Sequence, residues 1–190
     1  MRRSSLAAPL AAALTALIAV TLAGAQSSAP KQETRPSQAG GLDDPTIVAI
    51  FDAANTFDVE TGQLATTRGR SKEVRDFGAM LVRDHRMVRQ QGRDLAKKLS
   101  VRPTPPRVFE LRTAHQAAMK ALRAKKGAEF DQAFLEHEVA FHKAVIDAVN
   151  GTLLPAIQNQ ELKALVVKVA PAFQGHMLAA QNLQPKVAAK

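Results

Sequence analysis

The sequence predicts an all-α protein built from four long helices, with one long crossover that contains a short extra helix. Four long segments carry apolar residues at alternating steps of three and four, the spacing of helices that pack around a bundle core. A proline-rich stretch, residues 102–106, follows the second long segment and cannot stay helical. No segment shows a sustained alternation of apolar and polar residues, so we expect no β-sheet.

One domain is expected from the 190 residues, with a folded part at residues 44–184 and a short C-terminal tail at residues 185–190. The chain has no cysteine, which excludes disulfides, zinc-thiolate sites, iron–sulfur clusters and a cysteine nucleophile. Its formal net charge is +9 at pH 7, which favours anionic partners.

The first 25 residues have the pattern of a cleaved export signal. Arg2 and Arg3 precede an apolar run at residues 6–22, and small residues form a cleavage site that ends at Ala25. Because the run is long, an uncleaved membrane anchor is the alternative. Cleavage predicts a periplasmic or secreted protein, in which residues 26–43 form a flexible tether rich in Ser, Gln, Pro and Gly.

The first helix is expected to begin at Asp44 and Pro45, since Asp44 can accept hydrogen bonds from the first-turn amides and Pro45 needs no donor there. Its apolar seam contains Ile47, Ile50, Ala54, Phe57, Thr61 and Leu64. Asp58 falls at the edge of this seam, whereas Glu60 lies farther round and nearer solvent. Gly69 ends the helix.

The second helix is expected to be capped by Ser71, which makes the first two helices a tight antiparallel pair. Its apolar face contains Val74, Phe77, Leu81, Val88, Leu95 and Leu99. His85 lies within that face, and Asp84 lies on its flank. After the connector, a shorter helix has an apolar face that consists of Val108, Leu111, Ala118 and Leu122. It ends in the basic run at residues 123–126 and Gly127.

The third long helix is expected from Ala128 to Asn150, where the Asn150–Gly151 pair stops it. Its buried face contains Phe130, Phe134, Leu135, Phe141, Val145, Ile146 and Val149. Glu138 projects near the centre of this face, and His142 lies inside it.

The last long helix has its start signals at Pro155 and Asn159. Its apolar face contains Leu162, Val166, Val169, Phe173, Ala180 and Leu183. His176 lies among these residues, and Pro171 is expected to kink the helix.

Glu138 gives the clearest functional signal, because a buried carboxylate needs a cation, a proton donor or a metal ion. A rise of about 1.5 Å per residue places Asp58 and His176 at the level of Glu138, and places His85 at the level of His142. The two layers can merge, which makes these five side chains candidate ligands of one divalent metal ion. The alternative is a metal-free buried network that fixes the helix register.

Two familiar metal motifs are missing. A di-iron site in a bundle needs Glu three residues before His on each of two helices, but Val82 and Phe173 occupy those positions. A zinc protease needs two histidines four residues apart, whereas His137 and His142 are five apart. We also find neither a convincing Ser-His-Asp set nor a Gly-rich phosphate loop, so we predict no catalytic residues.

A basic stripe follows the second helix opposite its apolar face: Arg75, Arg83, Arg86, Arg93 and Lys97. Such a stripe can bind anionic envelope lipid or polysaccharide, and the alternative is an ordinary solvated helix face. Nucleic acid is not expected, because the chain has no Trp or Tyr to stack on bases and carries an export signal.

Several motifs together resemble the bacterial family catalogued as domain of unknown function 4142. They are FGAMLVRDH at 77–85, FDQAF at 130–134, HEVAFH at 137–142, LP at 154–155 and FQGH at 173–176. The resemblance covers roughly residues 43–183 and implies a ferritin-like four-helix bundle exported from bacterial cells, with no established activity. It makes motif members of Glu60, Gly62, Asp84, His85, His142 and His176.

The sequence therefore predicts an exported ferritin-like bundle that acts as a non-enzymatic binding or stress-associated protein. Divalent-metal binding in the core is the second hypothesis. An envelope interaction module that uses the basic stripe is the third.

Overall fold

The computed structural model describes residues 42–107 and 109–188, and the structural statements below concern these two ranges. The helices are α1 (Asp44–Arg68), α2 (Lys72–Lys98), α3 (Glu110–Arg123), α4 (Gly127–Ala148), a π-helical turn (Val149–Leu153), α5 (Leu154–Ala156) and α6 (Gln160–Ala188). All regular structure in these ranges is helical, which confirms the all-α prediction. The predicted signal peptide, the tether up to residue 41, and Val108 lie outside the described residues.

The four long helices α1, α2, α4 and α6 enclose the core. Helix α1 packs along α2, α4 packs along α6, and α2 also contacts α6. The short helix α3 lies in the connection between α2 and α4 and contacts α1 and α4. None of the helices in the described ranges is long and apolar enough to cross a membrane.

Helix α1 is capped by Asp43, whose side chain accepts a 2.9 Å hydrogen bond from the amide of Thr46. The predicted cap, Asp44, is therefore wrong by one residue. The Asp44 carboxylate instead accepts hydrogen bonds from the amides of Gln158 and Asn159, at 3.0 and 2.9 Å. It thus holds the turn before α6 against the start of α1.

The turn between α1 and α2 is fixed by two side chains. Ser71 caps α2 as predicted, since its hydroxyl accepts a 3.2 Å hydrogen bond from the amide of Val74. Asp131, on α4, accepts 2.8 Å hydrogen bonds from the amides of Arg70 and Ser71, one on each carboxylate oxygen. A buried carboxylate thereby ties α4 to the turn.

Helices α1 and α2 cross in close contact at Gly62 and Gly78. A Cβ atom on Gly62 would lie 2.7 Å from the carbonyl oxygen of Gly78, and a Cβ on Gly78 would lie 2.7 Å from the carbonyl oxygen of Gly62. Real Cβ atoms do not approach backbone oxygens this closely. The crossing therefore requires glycine at both positions, which gives the motif residue Gly62 a packing role.

The predicted stop at Asn150–Gly151 is wrong. The backbone stays helical through these residues, first as the π-helical turn and then as α5. Val149 and Leu153 at the two ends of the turn are 3% and 8% exposed, and both pack in the core. Their burial holds the segment in a helical conformation despite the local preference of Asn and Gly for a turn.

Of the two predicted start signals for the last helix, Asn159 directly precedes α6, whereas Pro155 lies in the short helix α5. The side chain of Asn159 accepts hydrogen bonds from the amides of Glu161 and Leu162, at 2.9 and 3.1 Å. The helix includes Pro171 and continues to Ala188, past the boundary predicted at residue 184.

The core consists of two apolar clusters, one toward each end of the long helices. The first contains Phe51, Val88, Val149 and Phe173, and the second contains Ala65, Leu81, Leu135 and Ala180. On α1, α2 and α6 a stretch of chain separates the member of the first cluster from the member of the second, and from α4 the corresponding stretch runs into the π-helical turn. Those stretches carry the buried polar residues of the candidate site.

Candidate metal centre

The five side chains predicted as metal ligands lie together between the two apolar clusters. Asp58 comes from α1, His85 from α2, Glu138 and His142 from α4, and His176 from α6. Their exposed fractions range from 0% at Glu138 to 6% at His176. Four helices thus bring three imidazoles and two carboxylates into one buried layer of the core.

The outer nitrogen of His85 is held by Asn55. The amide nitrogen of Asn55 donates a 2.8 Å hydrogen bond to the carbonyl oxygen of Phe51, which fixes the orientation of the side-chain amide. Its amide oxygen therefore faces His85 and accepts a 2.9 Å hydrogen bond from Nδ1–H. Asp58 Oδ2 lies 3.4 Å from the same nitrogen. With the proton on Nδ1, the neutral ring presents a lone pair at Nε2.

His176 is held by Asp84. Its Nε2 lies 3.1 Å from Asp84 Oδ2, so this nitrogen donates to the carboxylate. Asp84 is partly exposed and also accepts a 2.9 Å hydrogen bond from Arg83 Nε. The other ring nitrogen of His176, Nδ1, points inward and lies 3.1 Å from Nε2 of His85.

His142 is held by its own helix. Its Nδ1–H donates a 3.0 Å hydrogen bond to the carbonyl oxygen of Glu138, one turn earlier. Its Nε2 is buried and has no hydrogen-bond partner in the described part of the chain. This nitrogen lies 3.9 Å from Asp58 Oδ1, which also has no hydrogen-bond partner there.

The three imidazoles thus share one arrangement, in which the outer nitrogen is bound by the protein and the inner nitrogen is directed into the cluster. Such outer partners, a carbonyl or a carboxylate, are typical of metal-binding histidines because they fix the tautomer. The ring centroids of His85, His142 and His176 lie 5.0 to 5.6 Å apart. One ligand atom from each ring lies within 4.8 Å of the others.

The two carboxylates are buried with few partners. Both oxygens of Glu138 and Oδ1 of Asp58 have no hydrogen-bond partner among the described residues. Burial raises the pKa of Asp58 well above its ordinary value, and the nearby Glu138 carboxylate adds to the rise while His142 opposes it. Burial acts to raise the pKa of Glu138 as well, but His142 and His137 outweigh it and lower that pKa.

The three histidines differ in pKa, and therefore in whether the ring is protonated. Burial, together with the neighbouring His142 and His176, lowers the pKa of His85 to about 2. Burial and His142 also lower the pKa of His176, although Asp84 opposes them. Burial alone would lower the pKa of His142, but Asp58 and Glu138 raise it to about 9. His142 is therefore the natural proton carrier of the cluster, and the other two rings are neutral.

The remaining motif residues lie outside this cluster or at its edge. Glu60 points away from the core and pairs with His115 on α3, with 2.7 Å between Glu60 Oε2 and His115 Nε2. Asp58, and not Glu60, faces the core. Asn55, which sequence reasoning did not single out, belongs to the cluster. Its position in the sequence could have identified it, because it lies three residues before Asp58 and therefore on the same helix face.

Most of the basic stripe is engaged within the chain. Arg93 pairs with Asp52 at 2.6 Å, and Arg83 pairs with Asp84. Arg75 donates to the carbonyl oxygens of residues 69 and 70. Arg86 and Lys97 are exposed. The two carboxylate pairs, those of Arg83 and Arg93, reduce the positive charge of the stripe.

The sequence profile of a family described as Domain of unknown function (DUF4142) matches residues 25–183. The chain belongs to this family. A comparison with curated proteins gives no match. Among solved structures, the chain is similar to the crystal structure of a DUF305 fragment from Deinococcus radiodurans, with a TM-score of 0.66 and 14% sequence identity. The similarity covers 75% of this chain and 95% of the fragment, and it concerns the fold alone.

Proposed function

We propose that this protein is an exported, ferritin-like bundle that binds one divalent transition-metal ion between His85, His142 and His176. The ferritin-like arrangement is supported by the four long helices and by the short helix in the connection between α2 and α4. Export is supported by the basic residues, apolar run and small residues at the N-terminus.

The observation that carries this proposal is the contact between His85 and His176. Their outer nitrogens donate to Asn55 and Asp84, so two neutral rings present bare lone pairs to each other at 3.1 Å. Because two lone pairs repel each other, this contact needs either a cation or a further proton, in addition to the two protons on the outer nitrogens. A third proton would make an imidazolium from rings whose pKa values are both lowered. Two nitrogen ligands at about 2.1 Å from one metal ion lie about 3.0 to 3.4 Å apart, which matches the contact.

The buried carboxylates support a divalent charge. Among the described residues, Asp58 and Glu138 have only histidines as ion-pair partners. A metal ion bound at His142 Nε2 displaces the proton that this ring otherwise carries. Its positive charge also favours the ionised form of both carboxylates, which then carry two negative charges in a core where unpaired charge is costly. A divalent cation balances them, and unpartnered carboxylate oxygens are available to bind it or to orient bound water.

One ion per chain is favoured by the geometry of His142. The side chains form two overlapping ligand sets, one with three histidines and one with Asp58, Glu138 and His142. His142 belongs to both sets, but its Nδ1 is used by the carbonyl of Glu138, which leaves Nε2 alone. A single nitrogen binds a single ion. Three imidazoles favour zinc, copper, nickel or iron over magnesium and calcium, which prefer oxygen ligands.

Binding without catalysis is supported by the enclosure of the cluster. The predicted ligands are at most 6% exposed, and Phe173 stacks on the ring of His85 with 5.8 Å between ring centroids. A metal ion held there has no open face for a substrate, in contrast to catalytic metal sites.

A metal titration of melting temperature tests the proposal. Protein purified without an affinity tag is stripped with a chelator and then heated in the presence of zinc, copper, nickel, iron or manganese. At 100 times the dissociation constant, a bound ion stabilises the fold by about 2.7 kcal/mol, which raises the melting temperature by several degrees. The His142→Ala variant should lose this rise.

The matched control is His115→Gln, which removes another buried histidine that pairs with a carboxylate but lies outside the cluster. It should keep the metal-dependent rise. An unchanged melting temperature with all five metals would exclude the proposal.

A further inference from the structure

A second candidate site lies on the other face of α1. Thr56 and Glu60, two residues before and after Asp58, are turned about 160° away from it on the helix. They line a groove of about 690 Å³ between α1, α2, the proline-rich connector and α3. Its volume is within the range of about 300 to 1,000 Å³ that is usual for small-molecule sites.

The groove contains a buried histidine with one unsatisfied nitrogen. His115 lines the groove, its side chain is 5% exposed, and its ring stacks on Phe57 with 4.1 Å between centroids. Its Nε2 pairs with Glu60 Oε2 at 2.7 Å, which places a proton on Nε2. Its Nδ1 is buried and has no hydrogen-bond partner among the described residues. A buried nitrogen of this kind is costly unless another group bonds to it.

The wall and rim of the groove have complementary chemistry. Phe51, Phe57 and Phe109 contribute aromatic surface to the lining. Lys97 and Arg112 also line the groove, and the guanidinium of Arg112 lies 5.5 Å over the ring of Phe109. In the part of the chain that the structure describes, neither cation has a carboxylate partner within ion-pair distance.

The neighbouring arginines differ from Lys97 and Arg112, because they have a carboxylate partner. Arg89 and Arg93 also line the groove, but both bind the carboxylate of Asp52. This one carboxylate offsets one of the two positive charges. Among the described residues, the lining has four basic side chains and two carboxylates, so the groove has a formal net charge of +2. Lys97 and Arg112 are the two basic residues of the lining without a carboxylate partner, and they lie beside the apolar wall.

We propose that the groove binds a small organic acid with an apolar or aromatic body. The body packs on the phenylalanine rings, the carboxylate pairs with Lys97 and Arg112, and a second polar group of the ligand bonds to His115 Nδ1. The site shares α1 with the metal centre but none of its side chains, so it does not depend on the metal proposal.

Calorimetric titration with 6-hydroxy-2-naphthoate tests this inference, because this probe combines a carboxylate, a flat apolar body and a distant hydroxyl. The amide of the same acid tests the need for charge, and inorganic phosphate tests for unspecific anion binding. We expect the carboxylate to bind, the amide to bind at least about tenfold more weakly, and phosphate not to bind.

Lys97 and Arg112 are exposed at the rim of the groove, so they can be substituted without disturbing the core. The double variant Lys97→Gln/Arg112→Gln should weaken binding of the naphthoate at least about tenfold, and His115→Gln should weaken it separately. Arg86→Gln, an exposed charge elsewhere on α2, should leave binding unchanged. Absence of naphthoate binding, equal binding of its amide or of phosphate, or equal affinity in the double variant would overturn the proposal.

Discussion

Nε2 of His85 and Nδ1 of His176 face each other at 3.1 Å, across the contact between α2 and α6. Asn55 and Asp84 hold the outer nitrogens of the two rings. Two helices thus meet through the inner nitrogens of the two rings, and we propose that a metal ion lies between them. Apolar clusters lie on either side of the contact, and such low-polarity surroundings strengthen electrostatic interactions.

Asn55 is expected to act as a positioning residue for the metal. Asn55→Ala removes the acceptor that keeps the proton of His85 on Nδ1. The ring then loses its preference for the tautomer in which Nε2 is free to bind a metal ion. We expect metal affinity to fall about 10- to 100-fold, with one ion still bound at saturation. Competition with a chelator of known affinity measures the change.

The exposed residue Asn150, on the π-helical turn, provides the control. Asn150→Ala should leave the affinity unchanged. Equal affinities in the two variants and the parent protein would show that Asn55 has no role in ordering the ligand.

The stability of the metal-free protein is expected to fall as pH rises from about 6.5 to 9. The pKa of His142 is raised from 6.5 to about 9 in the folded protein, so its contribution is fully present below pH 6.5 and is lost as pH passes through 9. The shift corresponds to about 3 kcal/mol in the free energy of unfolding. Urea unfolding at several pH values measures it.

His85 produces the opposite slope on the acid side. Its pKa is lowered from 6.5 to about 2, so its contribution is present above pH 6.5 and is lost as pH falls toward 2. The alkaline slope should be smaller in His142→Gln, while the acid slope remains. An alkaline slope of the same size in that variant would contradict the assignment to His142.

The crossing of α1 and α2 predicts a glycine-specific effect on stability. In Gly62→Ala the new methyl group would meet the Gly78 carbonyl oxygen at 2.7 Å, so the helices must separate. We expect a loss of about 1 to 3 kcal/mol in the free energy of unfolding. Urea unfolding at pH 7 provides the measurement.

Gly175, on α6, is the matched control, because a Cβ there meets nothing within 4 Å. Gly175→Ala should raise stability by up to about 1 kcal/mol through its helix propensity. A Gly62→Ala protein as stable as the parent would contradict the close crossing.

The sequence predicts the helical class and the position of the polar layer because both follow from helix periodicity. Glu138 and His142 interrupt an apolar face one turn apart, and His85 and His176 do the same on their own helices. Each was therefore visible without knowledge of the packing. The prediction that they bind a metal ion remains to be tested.

Features that depend on distant partners were not visible in this way. Asp44 was predicted to cap its own helix, but it binds amides 114 and 115 residues away. Asn150 and Gly151 were predicted to stop α4, but burial of neighbouring side chains keeps them helical. Asn55 was missed because an asparagine on an apolar seam carries no charge that marks it, and its role depends on His85.

The most direct test of the central claim is anomalous diffraction at the absorption edge of the bound metal, from crystals of metal-loaded protein. The proposal predicts one strong peak per chain, within bonding distance of His85 Nε2, His142 Nε2 and His176 Nδ1. Crystals of the His142→Ala variant should lack this peak. A chain with no peak among these nitrogens, or with peaks only at surface carboxylates, would contradict the account.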